Sequence, residues 1–408
     1  MAENHTDNRP PPFLPYGRQL VDEDDIRAVA DVLRSDWLTT GPAVERFEDA
    51  LRHATGARHA IACSSGTAAL HLAAMALDFG PDDCVIVPDV TFAATAAAPA
   101  FTGARVVLAD VDRETGLMNP EHFTAALKRA PGPVRAVFPV HLNGQCADIA
   151  AIAAIARPRG IRIVADACHA LGSRYLQDGQ EQRAGCDDAD MTVFSFHPVK
   201  TIAAGEGGAI TTEDDGLARR LSRLRNHGII REAAAFTAPD ASDSAGNINP
   251  WHYEIHETGL NYRLSDIHAA LAFSQMGKLD DFIARRRRLH DAYCTAFAPF
   301  RPLIRMVEAL PGQNPAWHLA VALIDFAAAG AGRGDVMRSL RERGIGTQVH
   351  YIPLHRQPAF AEAARDGDFP GAEAYFAKAL SLPLHAGMQK ADVHRVAEAL
   401  TGILRTSS

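Results

Sequence analysis

The stretch "VFSFHPVKTIAAGEGGAI", Val193 to Ile210, decides how this chain is read. An apolar, β-branched run ends at Ser195 and Phe196, a single lysine follows at Lys200, and the glycine cluster 205–208 leads into a second apolar run. Short apolar runs bounded by turn residues read as strands buried on both faces. One ammonium group between two such strands has two readings. It is a solvated loop lysine, or it is an amine kept in apolar surroundings because desolvation depresses its pKa and makes it a nucleophile.

The same rhythm extends outward in both directions. Apolar runs at 57–63, 84–88, 104–111, 134–140, 161–166, 191–196 and 207–212 alternate with Ala/Leu-rich helical stretches such as "TAALHLAAMAL" (67–77) and "IAAIAAIARPRG" (149–160). Strand–helix alternation with near-continuous apolar strands predicts an α/β fold, a mostly parallel sheet covered by helices on both faces. Sites in such sheets gather where the strands end. Residues 231–259 break the rhythm and read as a long exposed loop. Ser265 then caps a helix beginning "SDIHAALAFSQM", which carries the chain into a second unit. From about 300 the pattern predicts a smaller α/β domain with a mainly antiparallel sheet.

Bulk properties exclude several classes. The chain has 408 residues and a formal charge of −8, so no general positive field exists to collect nucleic-acid phosphates. The run "RRRR" at 285–288 lies in a helical segment and reads as a solvated face. Six cysteines without a C-x-x-C pair signal neither a zinc site nor a disulfide framework, and a reducing cytoplasm is expected. The polar, proline-rich N-terminus lacks the apolar core of a secretory signal, and no apolar run reaches the ~18 residues a bilayer span needs.

Four clusters fall at expected strand ends. "SSGTAAL" (64–70) opens a helix, where Gly66 permits a tight turn and the N–H groups near Thr67 would attract an anion such as phosphate; it also reads as a plain N-cap. "VADACHA" (164–170) ends a buried strand at Asp166, a carboxylate that needs a cation or donors, with His169 three residues on; capping the next turn is the alternative. The third cluster is Ser195, Lys200 and "GEGG" (205–208). The fourth, "DVTFAATAAA" (89–98), offers Phe92 as a flat face for a ring or as a core residue. Together, a phosphate cradle, a carboxylate, an aromatic face and an amine nucleophile meet the demands of pyridoxal 5′-phosphate. Asp166 would hold its ring nitrogen protonated, Phe92 would cover the ring, and Lys200 would bind it covalently.

The succession SGTAAL, TFAAT, DACHA, FSFHPVKTIAAGEGG and GLNYRLSDIHAAL resembles the DegT/DnrJ/StrS-type nucleotide-sugar aminotransferases, of fold type I among pyridoxal-phosphate enzymes. The likeness runs from "PYGRQLVDEDDIRAVADVLRSDWLTTGPAVERFE" to "VHYIPLHRQP", and is strongest to the branch serving pseudaminic acid biosynthesis. It implies a large domain with a seven-stranded sheet and a smaller C-terminal α/β domain. The expected division is an N-terminal segment (1–40) packing with the small domain, a cofactor-binding domain (41–265), then a linking helix and small domain (266–408). It further implies transfer of an amino group from L-glutamate to C4 of a UDP-linked 4-keto-6-deoxy-N-acetyl-hexosamine, or to a sister 3- or 4-keto nucleotide sugar. By resemblance, Lys200 is the Schiff-base lysine, Asp166 the ring-nitrogen partner, and His169 a neighbour of the cofactor O3′. Gly66, Thr67 and Ser195 hold the phosphate, Phe92 stacks, and Asn261 reaches the partner subunit's site in a homodimer. Trp251, Tyr253, His350 and Tyr351 are candidates for the sugar-nucleotide pocket. His141 and Gln145 of "HLNGQ" are further candidates, His141 reading equally as a satisfied loop histidine. Ser64 stands where relatives commonly have Asn, and no arginine is dedicated to the glutamate carboxylate.

Overall fold

The computed structural model of the protein describes residues 12–364 and 367–406, so the first eleven residues of the expected N-terminal segment lie outside the described residues. In chain order the first nine strands are β1 (His59–Cys63), β2 (Cys84–Pro88), β3 (Arg105–Ala109), β4 (Val134–Val137), β5 (Arg162–Asp166), β6 (Arg174–Gln177), β7 (Gln180–Arg183), β8 (Met191–Ser195) and β9 (Gly208–Thr212). All seven apolar runs become strands of one sheet, in the order β1-β9-β8-β5-β4-β2-β3, while the β6–β7 hairpin is joined on its β6 side by the short β13 (Gln313–Asn314). The pairs β2–β3, β2–β4, β4–β5 and β5–β8 are parallel. Only β9 is reversed, antiparallel to both β8 and β1. Because antiparallel neighbours need no crossover, the segment 196–207 stays at the edge where β1, β5 and β8 end. That topology keeps Lys200 there.

The side-chain period of two sends alternate residues to opposite faces. Ile61, Cys63, Val85 and Val87 join one apolar cluster, covered by α3 (Gly66–Ala76), α4 (Ala93–Phe101) and α7 (Asp215–Leu224). Ala60, Ala62, Phe194 and Ala209 face the other side, under α2 (Pro42–Thr55), α8 (Asp266–Met276) and the start of α9 (Leu279–Phe297). Further along that face α5 (Pro120–Arg129) and α6 (Ile149–Ala156) cover Ile86, Val137 and Ile163. Double coverage is why these strands read as continuous apolar runs.

The N-terminal helix α1 (Glu23–Arg34) starts at an Asp22–Asp25 capping box and packs on α8; ahead of it, Leu14 bridges to Ile345. Past α9, β12 (Ile304–Met306), β14 (Ala320–Ile324) and β15 (Ala379–Leu382) make the expected antiparallel sheet, in the order β12-β14-β15. It shares a core with the second half of α9, α10 (Arg333–Glu342) and α12 (Lys390–Thr406). The segment 346–355, in contrast, carries no strand; it touches the sheet through the Gln348–Ser381 bridge and runs on to the site.

Two expectations need correction. Residues 231–259 are more than a loop: β10 (Ile229–Ile230) and β11 (Glu254–Ile255) pair as a ribbon. Glu254, within β11, accepts from the Thr237 and Ala238 N–H groups, the Thr237 hydroxyl, His252 and His256. Those donors, the Ala238 N–H foremost, hold its carboxyl well below the usual range. The arginine run is also not wholly solvated. Arg286 is buried, because it falls on the same helical stripe as Phe282, Ile283, Leu289, His290 and Tyr293.

Candidate active site

The site is assembled where β1, β5 and β8 end. After β1, Ser65 caps α3 and its Oγ accepts from the Ala68 N–H at 3.0 Å. That leaves the amides of Gly66 and Thr67, at the first helical positions, without intrahelical partners. After β8, Ser195 lies directly opposite. A Cβ on Gly66 would stand 2.8 Å from Ser195 Cβ and 3.1 Å from its Oγ, so the cradle between helix start and hydroxyl exists only because residue 66 is glycine. A phosphate fits this donor set of backbone N–H groups, helix N-terminus and hydroxyl.

Asp166 ends β5 and is buried. Its Oδ2 accepts from Thr95 Oγ1 at 2.7 Å and its Oδ1 from the Cys168 N–H at 3.1 Å. Lys200 sits half-buried in the turn after β8, its N–H donating to the His197 carbonyl at 2.8 Å. Burial lowers the pKa of its amine, against the opposing pull of Cys168 and Asp166. The turn is held from behind. Arg286 Nη2 donates to the Lys200 carbonyl at 3.1 Å, while Nη1 donates to the carbonyls of His318 and Leu384.

His169 is buried and neutral: burial, then Lys200 and His350, push its pKa well below the usual value. Its Nδ1 accepts from the Asn143 N–H at 3.4 Å, which assigns the proton to Nε2, 3.0 Å from Tyr351 Oη. His318 lies against it with ring centroids 4.3 Å apart and its own N–H on the Asn143 carbonyl. Tyr351 stands 6.1 Å from the Phe92 ring. Phe92 itself is 57% exposed at the start of α4, so the core alternative does not hold.

The remaining candidates separate. His350 is buried, with Nδ1 2.8 Å from Ser381 Oγ and a pKa pushed down to about 3, chiefly by burial. Trp251 is 74% exposed and Tyr253 half-exposed under Arg231, both on the ribbon that Glu254 organises. Asn261 is exposed in a bridge to Asn226. His141 is wholly buried, its Nδ1 accepting from the Ala147 N–H while its Nε2, 3.9 Å from Asp187 Oδ2, has no hydrogen-bond partner. Gln145 is likewise buried, its Oε1 accepting from the Leu310 N–H. Sequence reading passed over Thr95, Arg286 and His318. Thr91 and Thr95 share one helical spacing, Arg286 sits on an apolar stripe, and His318 interrupts the apolar run before β14. Each is a polar residue inside an apolar pattern, the one signal available.

Residues 19–401 match the model of the DegT/DnrJ/EryC1/StrS aminotransferase family, and the chain belongs to that family. It is 38% identical to the spore coat polysaccharide biosynthesis protein SpsC of Bacillus subtilis over 396 residues, covering 96% of this chain and 97% of the relative. Among solved structures it resembles PseC of Helicobacter pylori, an aminotransferase involved in the biosynthesis of pseudoaminic acid, at 25% identity and a TM-score of 0.84, covering 97% of this chain and 100% of that one. The putative sugar aminotransferase Spr1654 of Streptococcus pneumoniae, in its PLP form, gives 26% identity and a TM-score of 0.84, with the same coverage. The protein is therefore a pyridoxal-phosphate-dependent sugar aminotransferase with the aminotransferase fold of that cofactor class.

Proposed function

We propose that the protein transfers the amino group of L-glutamate to C4 of a UDP-linked 4-keto-6-deoxy-N-acetyl-hexosamine, the reaction of UDP-4-amino-4,6-dideoxy-N-acetyl-β-L-altrosamine transaminase in pseudaminic acid biosynthesis. The observation that carries this reading is the full-length likeness to PseC. A sister activity on another 3- or 4-keto nucleotide sugar is the second reading, favoured by the higher identity to SpsC.

Pyridoxal phosphate supplies an electron-withdrawing ring that stabilises negative charge at the amine-bearing carbon. The chain's residues do the rest. The Gly66 and Thr67 amides and the Ser195 hydroxyl would bind the phosphate, and Phe92 would cover one ring face. The Asp166 carboxylate would keep a proton on the ring nitrogen. Lys200, its charge disfavoured by burial, would hold the cofactor and would serve as the general base and acid at the amine-bearing carbon. His169 would hold the cofactor O3′, and Asn261 would reach the phosphate bound by the partner subunit. Trp251, Tyr253, His350 and Tyr351 would contribute to the sugar-nucleotide pocket. We assign residues 41–265 to cofactor binding, the described residues from 266 onward to the linking helix and small domain, and the described part of the N-terminal segment, 12–40, to packing on the latter. Six free cysteines agree with a cytoplasmic location, and among the described residues no helix is long and apolar enough to cross a membrane.

The test is a product assay with glutamate across UDP- and dTDP-linked 3- and 4-keto-6-deoxy sugars, with Lys200→Ala as control. The UDP-N-acetyl-hexosamine substrate should be preferred by at least about tenfold in kcat/KM. Preference for a dTDP sugar, or for amination at C3, refutes the first reading. Turnover by Lys200→Ala refutes the lysine's role.

A further inference from the structure

Behind Asp166 lies a pair of hydroxyls that the roles above leave unused. Thr95 is wholly buried in the first turn of α4, within the otherwise small and apolar run "AATAAAPA", and Thr91 is buried just before that helix. Thr95 Oγ1 is 2.7 Å from Asp166 Oδ2, and Thr91 Oγ1 is 2.8 Å from Thr95 Oγ1. Proton directions follow from chemistry. An ionised carboxylate only accepts, so the single hydroxyl proton of Thr95 goes to Asp166, and Thr91 must donate to Thr95. On the opposite side the Cys168 N–H donates to Oδ1. Each carboxylate oxygen thus has a donor, with the Cys168 thiol as a further hydrogen-bond partner of the group, which restricts its rotation. A hydroxyl in this apolar setting would be costly without a partner. Its placement beside the one buried carboxylate at the end of β5 makes packing alone a poor account of threonine at 95.

We propose that Thr95, oriented by Thr91, is a positioning residue that aims the Asp166 carboxylate at the cofactor ring nitrogen and limits its basicity, so that the shared proton stays on the ring. The proposal rests on the reading of Asp166 as the ring-nitrogen partner. Donors to a carboxylate favour its charged form. With the Thr95 hydroxyl gone, Asp166 takes a larger share of the proton, and the ring withdraws electrons less strongly. The bound chromophore then keeps its own proton to higher pH.

Three variants of the full-length holoprotein test this: Thr95→Val, Thr95→Ser and Asp166→Asn. The readouts are cofactor dissociation on dilution, followed by visible absorbance, and the pH midpoint of the bound cofactor's visible band. Thr95→Val should hold pyridoxal phosphate roughly tenfold more weakly, and its midpoint should rise by about one pH unit. Thr95→Ser, which retains the hydroxyl, should stay within about threefold of the parent protein, with an unshifted midpoint. If Thr95→Val matches the parent in both readouts while Asp166→Asn is impaired, the hydroxyl relay is wrong and the role of Asp166 stands. If Asp166→Asn itself matches the parent, the reading of Asp166 fails and takes the relay with it. Should valine prevent folding, Thr95→Ala replaces it, and a serine variant that behaves like alanine overturns the proposal.

Discussion

His290 shows what burial does to a single titratable group. It lies in α9 with Nε2 3.0 Å from the Val307 carbonyl and its ring stacked on Trp317 at 3.9 Å. Burial pushes its pKa down to about 4. Between about 4 and 6.5 the unfolded chain therefore carries a proton on this residue that the folded chain does not. Stability is fully present above 6.5 and is lost as pH falls toward 4, at about 1.4 kcal/mol per pH unit for each such histidine. His350 and His385, pushed to about 3 and about 4, act in the same direction. Urea unfolding at pH 6.5, 5.5 and 4.5 should show a steep fall in midpoint, and His290→Gln should remove one proton's share of that slope. An unchanged slope refutes the assignment of a neutral buried imidazole. At this scale the sequence was partly legible. Lys200 and Asp166 stood out because a charge between apolar strands has few physical reasons to be there. His318 and Thr95 did not, because one polar residue in an apolar run looks like noise until its partner across the fold is known.

Helix α9 raises the same question for an element. Read alone, "RRRR" is a charged surface. In register with the apolar stripe of the helix, Arg286 points inward and its guanidinium joins three carbonyls, those of Lys200, His318 and Leu384. Its pKa is lowered to about 10 by burial alone, so hydrogen bonds rather than a carboxylate offset its desolvation. This one side chain ties the lysine turn to the end of the small sheet where β14 begins and β15 finishes. Arg286→Lys keeps the charge but loses the planar fork. We expect it to lower unfolding stability by about 1–3 kcal/mol, seen as a drop in urea midpoint, and to speed protease cleavage within 196–207. Parent-like behaviour in both would mean the fork is dispensable. The periodicity of α9 contained this placement, whereas the identity of the three acceptors did not. They come from residues 86 positions before Arg286 and 32 and 98 after it.

On the scale of the whole molecule, several of the site candidates face solvent. Phe92, Trp251 and Tyr253 expose large aromatic surface, and Asn261 is exposed rather than turned inward. Exposed aromatic side chains suit a contact with another chain, and we expect a two-fold homodimer in which Asn261 completes the neighbouring site. Mixing Lys200→Ala with Asn261→Ala protein, each inactive alone, should then restore about a quarter of parental activity, since half the dimers are hybrids with one intact site. No recovery after verified subunit exchange would show each site to be self-contained.

What the sequence determined by itself was the sheet and the edge at which chemistry would occur. Strands buried on both faces must be apolar throughout, and that local signature survives without knowledge of their partners. It also placed Gly66, Asp166, Ser195 and Lys200 at strand ends, since those positions are read along the chain. Only the tertiary structure decided which polar groups meet: Thr95 on Asp166, Tyr351 on His169, Arg286 behind Lys200, and the donors that Glu254 gathers into an ordered ribbon. Hydrogen bonds are directional and short-ranged, so their partners are set by how distant segments pack, and composition and periodicity do not encode that.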